Sequence, residues 1–283
     1  MILWADTFTN DFHTDVGVAA VEALEDAGFR VIVPDGHLCC GRPLYDYGML
    51  DLAGRYLERV LDALREDIRA GTPVVGAEPS CVAVFKDELT KLRPHDEDAE
   101  RLSRQTFHLA EFLREEGYQP PPLMRKAVLH EHCHQRATGG IDPDRKLLEA
   151  MGLEVEVPYS GCCGLAGAWG YEHAHYDVSM ACGERVLLPK VREAQPETLV
   201  VPAGFSCRSQ IEQATNRRAL HVAQVIQLAR DHGPSGPPGP YPERAVSPKP
   251  PPSAARRVTR ATTAAALAAA AIGGVAALSL KRS

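Results

Sequence analysis

The sequence predicts an α/β protein of two tandem, repeat-related lobes with mainly parallel sheets, followed by a disordered linker and a C-terminal Ala-rich helix. The first observation is an internal repeat at an offset of about 125 residues, which relates the Cys-Cys-Gly motif at residues 39–41 to that at 162–164. The second is the alternation of short β-branched runs with helical segments, which is typical of parallel sheets. The third is a change near residue 233, after which proline, glycine and basic residues dominate.

The repeat defines the domain boundaries. In each half, a helix-ending glycine (Gly28 or Gly152) precedes a short apolar run, the Cys-Cys-Gly motif follows, and a Ser-Cys pair comes after the next strand-like run. The strand-like runs that open the two halves align so that Thr7 stands opposite Cys133. The predicted units are lobe one at residues 1–120, lobe two at 125–232, a basic Pro/Gly-rich linker at 233–260 and an Ala-rich helix at 261–283.

Two segments illustrate how the elements are assigned. The runs Val31–Val33 and Leu199–Val201 have the composition of buried parallel strands. The segment that closes lobe one has residues at helical spacing, at Leu102, Thr106, Leu109 and Leu113. This stripe predicts a helix across the segment.

Seven of the eight cysteines follow predicted strands in repeat register. Because ligands of parallel sheets sit beyond the carboxyl ends of the strands, we expect the thiols to converge at one edge of each lobe. They are Cys133, Cys162, Cys163 and Cys207 in lobe two, and Cys39, Cys40 and Cys81 in lobe one, where Thr7 takes the fourth position and Asp6 and Glu78 offer oxygen atoms. Four thiolates suit an iron–sulfur cluster or a tetrahedral zinc ion. Cys182 has no counterpart in lobe one and is expected to pack in the core.

Other motifs are absent or unsupported. No two cysteines are spaced C-x-x-C and no two glycines G-x-G, which argues against ferredoxin, thioredoxin, zinc-ribbon and dinucleotide-binding interpretations. Residues 130–134 read His-Glu-His-Cys-His, but this zinc-peptidase pattern functions only on a helix, and here it continues a strand-like run. His132 and His134 are either hydrogen-bond donors to a cofactor or ordinary loop residues. An acidic body with few aromatic residues argues against a nucleic-acid partner.

These residues resemble the cysteine-rich (CCG) domain family, which includes heterodisulfide reductase B-type subunits and iron–sulfur subunits of glycolate, lactate and glycerol-3-phosphate dehydrogenases. The family pattern is a leading Cys, a Cys-Cys-Gly and a C-x-x-C, usually in two copies. Here Glu78 and Gly204 replace the first Cys of each C-x-x-C. The stretches at residues 38–46, 132–135 and 204–207 look closest to the C-terminal part of flavin-linked dehydrogenases that carry this module fused on.

The resemblance implies an electron-transfer subunit of a flavin-dependent dehydrogenase complex that oxidises a 2-hydroxy acid (glycolate or lactate) or glycerol-3-phosphate. It further implies a [4Fe–4S] cluster in lobe two and FAD only on a partner, and it leaves the occupancy of lobe one open. The expected partners are a flavoprotein dehydrogenase subunit, a ferredoxin-type subunit and a quinone or disulfide acceptor. The alternatives are a zinc-stabilised interaction module and a disulfide-reducing subunit of heterodisulfide reductase type. The flavin domain of the fused relatives is missing, so it belongs to a separate subunit or the start is truncated.

The tail and the cysteines together predict the location. Residues 264–280 carry no charge and are flanked by basic residues, so that they suit a C-terminal membrane anchor, although they are short for a hydrocarbon core of ~30 Å. The alternative is an Ala-rich helix or tail that does not meet the membrane. Free cysteines and the absence of a signal peptide favour a cytoplasmic protein. The basic residues on either side of the predicted anchor favour a folded body on the cytoplasmic side of the cell membrane.

Overall fold

The computed structural model of the chain describes residues 1–246. They adopt the predicted α/β architecture, with one three-stranded parallel sheet in each lobe. The strands are β1 (Ile2–Trp4), β2 (Val74–Gly76), β3 (Thr106–His108), β4 (Lys126–His130), β5 (Glu154–Glu156) and β6 (Leu199–Pro202). The helices are α1 (Thr14–Asp26), α2 (Arg42–Asp46), α3 (Leu50–Arg69), α4 (Pro79–Ala83), α5 (Leu89–Leu92), α6 (Glu97–Gln105), α7 (Leu109–Glu115), α8 (Cys133–Thr138), α9 (Asp142–Ala150), α10 (Tyr176–Glu184), α11 (Leu187–Glu193), α12 (Phe205–Ala214) and α13 (Val222–His232). Short π-helical turns lie at Phe8–Phe12 and Val84–Glu88, and 3-10 turns lie at Trp169–Tyr171 and Pro242–Ala245.

The two sheets have related strand orders, β1-β2-β3 in lobe one and β5-β4-β6 in lobe two. Strands β1 and β4 open their lobes, and β2 and β6 precede the two Ser-Cys pairs. Because all the pairings are parallel, the carboxyl ends of β1 and β2 meet at one edge, as do those of β4 and β6. Each lobe therefore places the segments that carry its cysteines side by side.

Two local predictions were wrong. The run Val31–Val33 forms no strand, because only Ile32 makes an isolated bridge, to Ile2, and both Ile32 and Val33 are exposed. The helical stripe at 102–113 is interrupted by β3, which pairs with β2 between α6 and α7. All four residues of the stripe are buried, because both helices and the strand face the core, and spacing alone does not distinguish these arrangements.

A common apolar core joins the two lobes. Helix α1 of lobe one packs against α13 of lobe two, and one buried cluster contains residues from both sheets. At the edge of this contact, Asp15 accepts hydrogen bonds from Arg218 at 2.7 Å and from Gln224 at 2.8 Å. The lobes are thus held in a fixed relation within residues 1–246.

Residues 233–246, the start of the predicted linker, are folded against lobe two. The carboxylate of Glu243 is buried and pairs with the buried Arg217 at 2.7 Å. Arg125 donates a hydrogen bond to the carbonyl of Ser235 at 2.9 Å. These contacts order a stretch whose composition predicts disorder, while residues 247–260 of the linker and the predicted anchor at 264–280 lie outside the described residues.

Across residues 1–246, no helix combines the length and the apolar character that crossing a bilayer needs.

His221 gives the fold a pH dependence. Its Nδ1 accepts the backbone N–H of Ala223 at 3.2 Å at the start of α13, and burial, assisted by Arg208, lowers the pKa of His221 from 6.5 to about 3. Below pH 6.5, His221 becomes protonated in the unfolded chain but stays neutral in the folded chain until about pH 3. The free energy of unfolding therefore decreases as the pH falls through this window.

The variant His221→Asn keeps a capping oxygen but has no imidazole to protonate. Between pH 7 and pH 5, we expect its free energy of unfolding to fall by about 2 kcal/mol less than that of the native chain. Urea unfolding at the two pH values measures the difference. An equal loss in both proteins would show that His221 does not cause the acid sensitivity.

Candidate metal centre

Four thiols of lobe two meet beyond the carboxyl ends of β4 and β6. Cys133 begins α8 shortly after β4, and Cys207 lies in the first turn of α12 after β6. The thiol of Cys133 contacts that of Cys162, Cys162 contacts Cys163, and Cys163 contacts Cys207. Cys133 and Cys162 are exposed, whereas Cys163 and Cys207 are buried, so the set leads from the surface into the core.

Lobe one repeats this series of contacts with a hydroxyl group in place of the first thiol. The hydroxyl of Thr7 contacts Cys39, and Cys39 contacts Cys40. The Sγ atoms of Cys40 and Cys81 lie 2.9 Å apart. The structure therefore brings all seven predicted cysteines into a set of four and a set of three, in the same order of contacts.

The glycine after each Cys-Cys pair has a backbone role. Gly41 and Gly164 have φ values of +77° and +98°, in the region that favours glycine. The Gly164 N–H points at Cys162 Sγ at 3.3 Å, and the Gly41 N–H points at Cys39 Sγ at 3.5 Å. A side chain at Gly164 would also overlap the carbonyl oxygen of Ser179 in α10. The motif thus directs one backbone donor at the first sulfur of each pair.

The thiols of lobe two form two donor–acceptor pairs. The hydrogen bond from Cys133 lowers the pKa of Cys162 far below its usual value of 9, and Cys163 also contributes to this shift. The hydrogen bond from Cys163 likewise lowers the pKa of the buried Cys207. The pKa is thus lowered for one thiol of each pair, Cys162 and Cys207, and raised for its partner, Cys133 or Cys163.

The thiols of lobe one remain protonated. The hydrogen bond with Cys40, followed by burial, raises the pKa of Cys39. For Cys81, a hydrogen bond with Cys40 lowers the pKa, but burial and the negative charges of Asp6 and Glu78 outweigh it and raise the pKa overall. The two sites therefore share a geometry, but two thiols of lobe two have a lowered pKa, whereas the pKa of all three thiols of lobe one is raised.

The carboxylates of Asp6 and Glu78, which the sequence offers as oxygen ligands for lobe one, already accept hydrogen bonds. Asp6 is buried and accepts two backbone N–H groups of the following turn. Burial, together with Glu78, raises the pKa of Asp6 to about 6. Glu78 accepts the Ser80 hydroxyl at 2.8 Å and, across the lobe boundary, the Phe205 N–H at 2.7 Å. Because these hydrogen bonds already engage the carboxylate oxygens, they argue against Asp6 and Glu78 as metal ligands of lobe one.

Residues 130–134 do not form a continuous helix. His130 ends β4, His132 caps α8, and His134 lies in its first turn. The zinc-peptidase hypothesis is thereby excluded, since its two histidines would have to share one helical face. The possible ligand atoms of His132, Cys133 and His134 lie within 4.8 Å of one another, so that this group adjoins the thiol set at Cys133.

Cys182 is half-buried in α10 and lies beside Gly164, a position that suits the predicted packing role. One repeat-related pair escaped the sequence analysis, namely His108 and His221. Each is buried with a pKa lowered to about 3 by burial, and the backbone N–H of each donates to the side chain three residues later. The shared pattern His-x-Ala-Glu/Gln, at residues 108–111 and 221–224, is the signal that identifies them.

Comparison with known proteins gives one family and several relatives. The family model described as a cysteine-rich domain (CCG) matches residues 7–86 and 127–212, which include both Cys-Cys-Gly motifs. The chain is 30% identical over 234 residues to a subunit of the anaerobic glycerol-3-phosphate dehydrogenase of Escherichia coli K12, covering 78% of this chain and 57% of that protein. It therefore spans little more than half of this relative.

Two further relatives differ widely in length. Lactate utilization protein A of Bacillus subtilis is 29% identical over 242 residues, covering 79% of this chain and 97% of that protein. D-2-hydroxyglutarate dehydrogenase of Pseudomonas putida is 25% identical over 229 residues, covering 80% of this chain and 22% of that protein. The same two-lobe unit thus matches nearly all of one protein and a small part of another.

Proposed function

The chain belongs to the cysteine-rich domain family, and from this premise we propose that it is an iron–sulfur electron-transfer subunit of a flavin-dependent dehydrogenase complex. The observation that carries the proposal is the meeting of four thiols at one edge of lobe two. The names of the relatives support a substrate that is a 2-hydroxy acid, such as glycolate or lactate, or glycerol-3-phosphate.

The residues of lobe two fit an iron–sulfur cluster. The proposed ligands are Cys133, Cys162, Cys163 and Cys207. Two of the four, Cys162 and Cys207, have lowered pKa values, which favours the thiolate form that iron binds. The backbone N–H of Gly164 already points at the sulfur of Cys162. A bound [4Fe–4S] cluster would accept and release single electrons.

Lobe one is proposed as a weaker site. Cys39, Cys40 and Cys81 remain its predicted cofactor-binding residues, but their thiols are protonated and the neighbouring carboxylates are engaged. Cysteine ligands must lose their protons when a metal binds. The negative charges of Asp6 and Glu78 make this loss unfavourable in lobe one. We therefore expect lobe two to fill first.

The rest of the complex follows from the same proposal. FAD would reside on a partner flavoprotein, and a ferredoxin-type subunit would supply further clusters. The electrons would pass to a quinone or a disulfide. The chain would work at the cytoplasmic face of the cell membrane, with residues 264–280 as its tether, a role that their uncharged composition supports.

A second candidate is a zinc-stabilised interaction module. The group formed by His132, Cys133 and His134 favours it, because imidazole and thiolate are the ligands of structural zinc. In that case, Cys162 would hold lobe two together without any redox role.

Anaerobic purification, followed by visible and paramagnetic-resonance spectra before and after dithionite, separates the two candidates. We expect a brown protein whose visible absorption bleaches on reduction and returns on oxidation. A colourless protein with zinc would favour the interaction module and refute the proposal.

A further inference from the structure

A single carboxylate lies at the beginning of both helices that carry a Ser-Cys pair. The Oε1 atom of Glu78 accepts the backbone N–H of Ser80 at 3.3 Å and thereby caps α4, which carries Cys81. Its Oε2 atom accepts the backbone N–H of Phe205 at 2.7 Å, at the first residue of α12, which carries Cys207. Glu78 is only 3% exposed. One buried side chain of lobe one thus caps a helix in each lobe.

The N-cap residue of α12 offers no acceptor of its own. It is Gly204, which corresponds to Glu78 in the repeat. A Cβ atom at Gly204 would overlap the ring of the buried His132, which occupies the space that a capping side chain needs. The N–H of Phe205 therefore finds its acceptor in the other lobe, at the repeat equivalent of its own N-cap residue.

Lobe one also holds the side chain of Phe205. Its ring stacks on that of Phe8, with the centroids 4.1 Å apart and the planes inclined by 14°. The ring of His13 meets it edge-on at 5.2 Å. Backbone and side-chain contacts from lobe one therefore fix the first turn of α12, and Cys207 lies within this turn.

We propose that Glu78 is a positioning residue, which sets the first turn of α12 from lobe one and with it the place of Cys207 in the thiol set of lobe two. The first N–H groups of a helix have no partner within the helix, so the loss of this acceptor loosens the turn that carries the thiol. At this position the family pattern has a cysteine, and here a carboxylate supports a thiol of the other lobe. The effect on a cluster rests on the proposed function, whereas the capping of α12 does not.

The variant Glu78→Asp separates the two caps. Aspartate is a favoured N-cap residue and should still accept the N–H of Ser80, but its side chain is one methylene group too short for Phe205. We expect a chelator to remove iron from the anaerobically purified variant roughly tenfold faster than from the native chain, because residues that support a metal ligand contribute this much to metal retention. The paramagnetic-resonance spectrum of the reduced cluster should also change, since it reports on ligand geometry. Unchanged iron loss with an unchanged spectrum would overturn the inference.

The matched control is Glu111→Asp. Glu111 also accepts a backbone N–H, that of His108 at 3.0 Å, but both residues belong to lobe one. Iron loss and spectrum should equal those of the native chain. An acceleration as large as that in Glu78→Asp would show that any shortened carboxylate has this effect, and the inference would fail.

A double-mutant cycle tests whether Glu78 acts through the N–H of Phe205. Phe205→Pro removes this N–H, and proline is accepted at the first position of a helix. Gly204, with φ −86° and ψ 151°, has the extended backbone that a following proline requires. In the Phe205→Pro background, Glu78→Asp should cause no further increase in iron loss. The same increase in both backgrounds would show that Glu78 acts elsewhere and would overturn the inference.

A last measurement does not require the cluster. In the metal-free chain, amide hydrogen exchange of residues 205–208 should be roughly tenfold faster in Glu78→Asp than in native protein, because a hydrogen bond to a charged acceptor is lost. Exchange in α4 should not change. Equal rates at residues 205–208 would overturn the inference. A native chain that takes up no iron would refute the proposed function, while the exchange rates would still decide whether Glu78 positions α12.

Discussion

Cys163→Ser is expected to abolish cluster binding in lobe two. Cys163 is buried at the centre of the thiol series, in contact with both Cys162 and Cys207. A serine hydroxyl is a poor ligand for iron, and three remaining thiolates leave one iron of a [4Fe–4S] cluster unprotected. Iron and acid-labile sulfide per chain, measured after anaerobic purification, should fall to background.

Two controls make this result specific. Cys182→Ser changes a half-buried thiol of α10 outside the series and should leave the iron content unchanged. Cys40→Ser removes the repeat-equivalent residue of lobe one and should spare the cluster of lobe two. Full iron content in Cys163→Ser, or its loss in Cys40→Ser alone, would show that the ligands have been assigned to the wrong lobe.

Gly164→Ala is expected to disrupt lobe two without removing any sulfur. The new methyl group would overlap the carbonyl of Ser179, and the backbone at φ +98° disfavours any side chain. Both effects act on the loop that presents Cys162 and Cys163. We expect the free energy of unfolding to fall by about 3–5 kcal/mol and the iron content to fall with it.

Gly167→Ala is the matched comparison for this loop. Gly167 also has a positive φ, of +69°, but an added Cβ there would meet nothing within 4 Å. The cost should be limited to backbone strain of about 1–2 kcal/mol, with the cluster retained. Denaturant unfolding of the two variants measures the contrast, and equal losses would mean that contact with α10 does not hold the loop.

The lobes illustrate how a duplicated backbone can carry different chemistry. The order of side-chain contacts is the same in both, but Thr7 replaces Cys133 and Asp6 replaces His132. The pKa is lowered for Cys162 in lobe two and raised for Cys81 in lobe one. Under the proposed function, a divergence of this kind would let lobe two bind the redox group while lobe one contributes mainly to the fold.

The sequence was sufficient to predict the convergence of the cysteines, because parallel strands bring their carboxyl ends to a single edge. It could not predict β3, since a buried strand between two helices continues the helical spacing of Leu102 and Leu109. It also could not predict the contacts that Glu78 and His132 make. Glu78 is held by Phe205 of the other lobe, and the His132 ring lies against Gly204, which is distant in sequence.

The most direct test of the central claim is a metal and sulfide assay of the anaerobically isolated native chain. A cluster held by Cys133, Cys162, Cys163 and Cys207 predicts iron and acid-labile sulfide in equal amounts, at the stoichiometry of a [4Fe–4S] group. Zinc without sulfide would contradict it.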